Sequence, residues 1–307
     1  MSKRRGKPIH GWLNIDKPAA MTSNTVVGLV RRFTGAAKAG HGGTLDPLAT
    51  GVLPVALGEA TKTASYVIDG AKTYLFTVRW GEARTTDDAE GEVTEISEKR
   101  PTDEEIVAAL TLFSGQINQV PPAFSAIKVN GRRAYALARA HKPVELEART
   151  VSVERFELVQ RPDPDHARFL VTCGKGTYMR SLARDLALEL GTVGHICDLR
   201  RTRTGPFSEE TAIPLDKLEV LGHSAALAEA LLPIETVLDD IPALALTEEE
   251  ARSLRHGRPI SVLPVATRSP LTNIAQGDVV CAMAGGKLVA LARVVGGEVR
   301  PFRVMNH

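Results

Sequence analysis

The loop Gly40-His41-Gly42-Gly43-Thr44-Leu45-Asp46-Pro47 constrains this 307-residue chain more than any other stretch of it. Its three glycines let the backbone approach a ligand or a neighbouring strand closely, and one carboxylate follows them directly. An isolated Asp-Pro pair is ordinarily a helix cap, the carboxylate accepting backbone N–H groups. Here the run Leu45-Asp46-Pro47-Leu48-Ala49-Thr50-Gly51-Val52-Leu53 leads straight on into apolar chain. That continuation shifts the balance toward a loop built around Asp46.

The flanking sequence supplies a frame for such a loop. Gly11 to Pro18 reads as a short strand ended by a proline turn, and Thr22 or Ser23 opens a helix with Val26, Val30 and Phe33 on one stripe and Gly35 as its stop. Tyr74, Phe76, Val78 and Trp80 alternate with Leu75, Thr77 and Arg79, the period of a half-buried strand with its aromatic face inward. Thr102 and Glu105 have capping-box spacing for a helix ending near Gly115. Asn130-Gly131 signals a tight turn, and strands follow at 151–159 and 167–173, separated by the Pro-Asp-Pro-Asp loop at 162–165. Residues 177–190 read as a helix with Leu182, Leu186 and Leu190 on one stripe and Gly191 as its cap, before a basic strand at 199–204. Turn-rich, acidic chain from 206 to 242 reads as a boundary. Beyond it Thr247 and Glu250 cap a short helix ending at Gly257, and glycine pairs at 285 and 296 punctuate small strands.

Charge is patterned rather than strong. The net +2 divides into +7 over residues 1–81, −7 over 82–122, +6 over 123–206 and −4 over 207–307. Two basic blocks flanking an acidic insert can fold into one face that neutralises phosphates. Three well-separated cysteines with no Cys-x-x-Cys, and eight histidines with no His-x-x-x-His, argue against a disulfide framework or a metal site. The longest apolar runs fall far short of the roughly 20 residues of a membrane span, and no secretory apolar core opens the chain, so a cytoplasmic protein is expected. Gly174-Lys175-Gly176-Thr177 has the composition of a phosphate loop but lacks Gly-x-x-x-x-Gly-Lys-Ser/Thr, which makes nucleotide hydrolysis a poor reading.

From Gly40 to Gly51 the chain resembles the TruB-type tRNA pseudouridine-55 synthases, whose catalytic loop runs Gly-His-x-Gly-x-Leu-Asp-Pro-x-Ala-Thr-Gly. Asp16-Lys17-Pro18, Lys72-Thr73-Tyr74, Phe124-Ser125-Ala126-Ile127-Lys128 before Asn130-Gly131, and Lys175-Gly176-Thr177-Tyr178-Met179-Arg180 follow the family order. Gly42 stands where threonine is common and Phe124 where tyrosine is frequent. The resemblance is strong over residues 10–205 and loose beyond. It implies an α+β pseudouridine synthase fold: a large, mainly antiparallel mixed sheet flanked by helices and loops, with a small barrel-like PUA module. The expected divisions are a flexible basic arm at 1–9, a catalytic domain at 10–235 and a PUA-like RNA-binding module at 236–307.

By matching position, the resemblance makes Asp46 the nucleophile, Tyr74 the aromatic packed on the target uracil, and Arg180 the partner of the carboxylate. An attacking aspartate must be ionised, and a pocket dry enough for a base opposes its charge; an arginine fork offsets that. A cation in a helix's first turn also works against the helix dipole, so Arg180 needs a specific partner. His41 helps fill the space the bases vacate, and Tyr178 shapes the pocket. Lys17, Lys128, Lys175, Arg200, Arg201 and Arg203 are candidate backbone contacts. The implied reaction breaks N1–C1′ of a flipped-out uridine, turns the base and joins C5 to C1′, so no cofactor is implied. The implied partner is the T-arm stem-loop of tRNA, bound by a monomer with no obligate protein partner. A guide-RNA-dependent relative and a catalytically silent tRNA-folding protein are the competing readings.

Overall fold

The computed structural model describes residues 6–125, 127–129, 132–135, 146–221, 226–269 and 275–306. Its largest element is a ten-stranded mixed sheet made of β1 (Gly11–Lys17), β2 (Ala39–His41), β3 (Thr50–Leu57), β4 (Lys72–Trp80), β5 (Gly115–Gln119), β6 (Arg149–Asp163), β7 (His166–Cys173), β8 (Gly194–Thr204), β9 (Phe207–Ser208) and β10 (Ile213–Pro214). The strand order is β10-β1-β3-β8-β4-β7-β6-β5, with β2 paired to β3 and β9 to β8. Most pairs are antiparallel; β1 with β10 and β3 with β8 are parallel.

The expected α+β architecture is what forms, because sequence periods and caps agree. Helix α1 (Ser23–Thr34) starts at Thr22, whose hydroxyl accepts from the Thr25 N–H, and ends at left-handed Gly35. On β4 the residues Phe76, Val78 and Trp80 are fully buried, and Phe76, Phe156, Phe169 and Trp80 form one cluster of tilted and edge-on rings. Helix α2 (Ala64–Asp69) connects β3 to β4, and α3 (Asp103–Leu110) carries the complete Thr102/Glu105 capping box. Helix α4 (Met179–Glu189) buries Leu182 and Leu186 against the sheet. It begins two residues later than the sequence suggests, with Tyr178 as its cap.

Two expectations change. Lys7 does not hang free: its N–H donates to Gly35 O and its carbonyl accepts from Ala37, so this part of the expected arm is tied to the chain around α1. The stretch from 206 that reads as a boundary packs on the large sheet at its described residues up to 238. Beyond β9 and β10, helix α5 (Leu215–Leu221) packs on α1, and Leu232 exchanges two backbone hydrogen bonds with Trp12. Lys128–Val129 and Arg132–Arg133 pair antiparallel, while Asn130-Gly131 and the Lys128 side chain lie outside the described residues.

The tail forms a second mixed sheet, β11 (Ala243–Ala245), β12 (Ile260–Ser261), β13 (Val279–Ala284), β14 (Lys287–Val295) and β15 (Glu298–Val304), in the order β11-β13-β14-β15-β12. Gly285-Gly286 and Gly296-Gly297 all have positive φ, as two-residue hairpin turns need. Helix α6 (Glu248–Arg255) carries its own capping box and packs on this sheet.

Candidate active site

Between β2 and β3 the Asp46 loop is partly buried yet belongs to no helix or strand, so its polar backbone needs partners from elsewhere. Buried side chains supply them. Ser23 Oγ donates to Leu45 O and accepts from Leu45 N–H, 2.9 and 2.8 Å. Lys17 Nζ donates to Pro18, Met21 and Pro47 carbonyls at 2.9, 2.6 and 3.2 Å. Arg201 donates to Val52 O and Gly43 O at 2.8 and 3.1 Å. Gly51 enters β3 at φ +97°, where an added Cβ would lie 2.2 Å from Arg201 O. At Gly42 a Cβ would meet Val67 at 2.7 Å, so valine occupies the space a side chain there would take.

No helix follows Pro47, which removes the cap reading of Asp46. Its carboxylate turns to Arg180: Nε and Nη2 both lie 3.0 Å from Oδ2. Asp46 is about a third exposed, whereas Arg180 is buried in the first turn of α4. Three further groups hold the guanidinium. Nη1 donates to Thr86 O at 2.9 Å, Nη2 to Phe124 O at 3.0 Å, and Asp88 Oδ2 lies 3.6 Å from Nε.

In sequence the Thr86–Glu90 turn is legible only as part of a turn-rich acidic stretch, with no sign that it meets Arg180. It is pinned to β8 by hydrogen bonds between Ile196 and both Asp87 and Ala89, and to α4 by the Arg184–Asp87 ion pair. Buried Asp88 thus faces Arg180, and burial, then Asp88 and Asp46, raises the Glu90 carboxyl. The available signal was Arg180 itself: a cation buried at a helix N-terminus requires more than one acceptor.

Asp46, Tyr74, Tyr178 and Arg180 line one cleft of about 340 Å³, together with Ile68, Lys72, Ser125, the Gly174–Thr177 turn and Arg201. That volume suits a small ligand group. Tyr74 is half-buried on β4, and burial pushes its phenol up, with Arg201 opposing. Burial also raises Tyr178, whose backbone is fixed by Gln119, the amide donating to Tyr178 O at 3.1 Å and accepting from its N–H at 2.8 Å. His41 lies behind the loop, its Nδ1 accepting from the Gly43 N–H, and burial lowers it toward the neutral form. A larger groove, about 670 Å³ and floored by Met21, Leu29 and Phe33, contains neither Asp46 nor Tyr74.

The basic residues divide. Lys17 and Arg201 are fully buried and hold the loop, which corrects the expectation that they touch RNA. Burial brings Lys17 down to about 8. Arg200 faces the other groove, clamped by both oxygens of Asp16 at 3.0 Å and by Glu209 at 2.7 Å, so it too is a structural cation. Lys175 and Arg203 are exposed, as phosphate contacts need to be. Burial raises Cys173 to about 11 and Cys281 to about 12, leaving both inert thiols. Among the described residues no His, Cys, Asp or Glu cluster could hold a metal, and no helix is long and apolar enough to cross a membrane.

A chain of an H/ACA RNP bound to a substrate RNA containing 2′-deoxyuridine has a similar fold, with TM-score 0.73 and 26% identity over 100% of this chain and 92% of that one. A chain of an archaeal box H/ACA sRNP complex matches at TM-score 0.73 and 26% identity, covering 99% and 92%. The class defined by fold and cleft is the pseudouridine synthase fold with an aspartate–arginine centre. Within it, residues 31–179 match the N-terminal domain of TruB family pseudouridylate synthase, and residues 180–239 match the tRNA pseudouridylate synthase B C-terminal domain. Curated relatives named tRNA pseudouridine synthase B from Rhodospirillum rubrum, Gluconacetobacter diazotrophicus and Caulobacter vibrioides are 58%, 55% and 52% identical. They are matched over 99% of this chain, and over 99%, 100% and 98% of their own lengths. The chain belongs to the TruB family of pseudouridylate synthases.

Proposed function

We propose that this protein converts uridine-55 in the T loop of tRNA to pseudouridine, with Asp46 as nucleophile. The observation that carries the reading is the Asp46 carboxylate, partly open to a base-sized cleft and bonded to a buried Arg180. A uridine must leave its stack to reach it, at about a few kcal/mol. Tyr74 offers a flat wall for the extruded base, and stacking and phosphate contacts offset the cost. Attack at C1′ or at C6 requires the same ionised oxygen, and Arg180 compensates its charge in the cleft. N1–C1′ breaks, the freed uracil turns within the cleft, C5 bonds to C1′, the bond to Asp46 breaks to return the free carboxylate, the C5 proton leaves to solvent and N1 takes one up. Tyr74, kept protonated by burial, supplies a neutral hydroxyl beside that proton transfer. Residues 10–235 carry this chemistry, 236–307 serve as the RNA-binding module, and the protein acts as a cytoplasmic monomer.

The guide-dependent alternative draws support from the H/ACA likeness, but at 26% identity against 58% for the Rhodospirillum rubrum relative. A silent binder has no need of a charged carboxylate held by a buried arginine. Purified protein, with no guide or partner added, is expected to release tritium from C5-labelled uridine in a T-arm stem-loop. Asp46→Asn is expected to abolish release while RNA affinity stays within a few fold. Wild-type release rates from that variant refute the nucleophile, and dependence on added guide RNA supports the alternative.

A further inference from the structure

The Gly174–Thr177 turn forms one lip of the cleft and the end of α2 the other. An ion pair joins the lips: Lys175 Nζ lies 3.0 Å from Asp69 Oδ1, and both side chains are more than half exposed. Asp69 is poorly placed for its own helix. It is the last residue of α2, where a carboxylate meets the negative end of the helix dipole. The stabilising cation at that terminus is instead Lys72, whose Nζ donates to the carbonyls of Val67, Ile68 and Gly70. Beside Lys175, Gly176 sits at φ +81° with open space around it, so a ligand can approach the backbone there.

We propose that Lys175 binds an RNA phosphate at the mouth of the cleft and that Asp69 is its built-in competitor, displaced when the phosphodiester arrives. The inference rests on the RNA-modifying function above. An exposed Lys–Asp pair is weak and easily exchanged, whereas a phosphate brings strong acceptor oxygens and releases counterions. Asp69 therefore costs every polyanion some affinity. An RNA that also seats a uridine in the cleft regains that loss, and one that only touches the lips does not.

The test is a double-mutant cycle on the full chain, reading Kd for a T-arm stem-loop across a salt series. Asp69→Asn is expected to tighten binding roughly two- to fivefold. Lys175→Ala is expected to weaken it and to reduce the slope of log affinity against log salt by about 1. In the Lys175→Ala background, Asp69→Asn is expected to have no effect. Opposite signs separate exchange from a mere clamp, since losing either half of a clamp weakens binding. Weaker or unchanged binding by Asp69→Asn, or equal tightening without Lys175, overturns the inference; tritium release by wild-type protein then leaves the functional reading standing. Wild-type protein that neither binds nor converts the stem-loop removes both.

Discussion

Lys17 illustrates how one residue type can mislead. A lysine in a basic stretch reads as a phosphate contact, but this one is fully buried and its ammonium closes three loop carbonyls. Lys17→Met is expected to leave those carbonyls unpaired and to cost on the order of 3 kcal/mol. Its titration adds a pH signature. The folded state holds Lys17 at about 8 against 10.5 for an unperturbed lysine, so between those values the unfolded chain binds more protons. The contribution is full above pH 10.5 and is lost as pH falls through about 8. Urea unfolding across that range should show the gap between wild type and Lys17→Met widening as pH rises; a gap that narrows contradicts the assignment.

At the level of elements, β3 and β8 meet in a parallel pair at Gly51 and Arg201, and this pairing seats the Asp46 loop. Two glycines at positive φ provide a controlled comparison. Gly176→Ala meets open space and is expected to cost only about 1 kcal/mol of backbone strain. Gly51→Ala drives a Cβ into Arg201 O, so the strands must separate locally, and a loss of roughly 3 kcal/mol or more is expected. Thermal unfolding followed by circular dichroism measures both. Equal melting temperatures for the two variants exclude close packing as the reason for Gly51.

Over the whole molecule, the tail sheet and the catalytic sheet share a core. Trp12, Val52, Ala56, Val67 and Phe207 pack in one cluster with Ile234, Leu238, Cys281, Leu288, Leu291 and Met305. Leu291→Ala, at a fully buried position of this cluster, is expected to cost about 2–5 kcal/mol. If the two sheets unfold together, near-UV dichroism of the Trp12 region and a probe on the tail should shift to the same lower midpoint. A tail transition that moves alone excludes a shared cooperative unit.

Local signals determined much of this protein by themselves. Thr22 and Gly35 bound α1, the Thr102/Glu105 and Thr247/Glu250 boxes start α3 and α6, and the alternation of β4 places Phe76, Val78 and Trp80 inside. Each depends on residues a few positions apart, so a linear reading captures it. The Gly40–Gly51 motif, Tyr74 and Arg180 are likewise legible in the sequence, and Asp46, Tyr74 and Arg180 line one cleft. Only the tertiary structure decided what faces Arg180 and which cations are exposed. Asp88 lies 92 residues from Arg180 in sequence, and Lys17, Arg200 and Arg201 differ from Lys175 in burial and in partners contributed by distant strands. A charge's role depends on its solvation and on what lies within a few ångströms, and chain folding sets both across separations that sequence spacing does not encode.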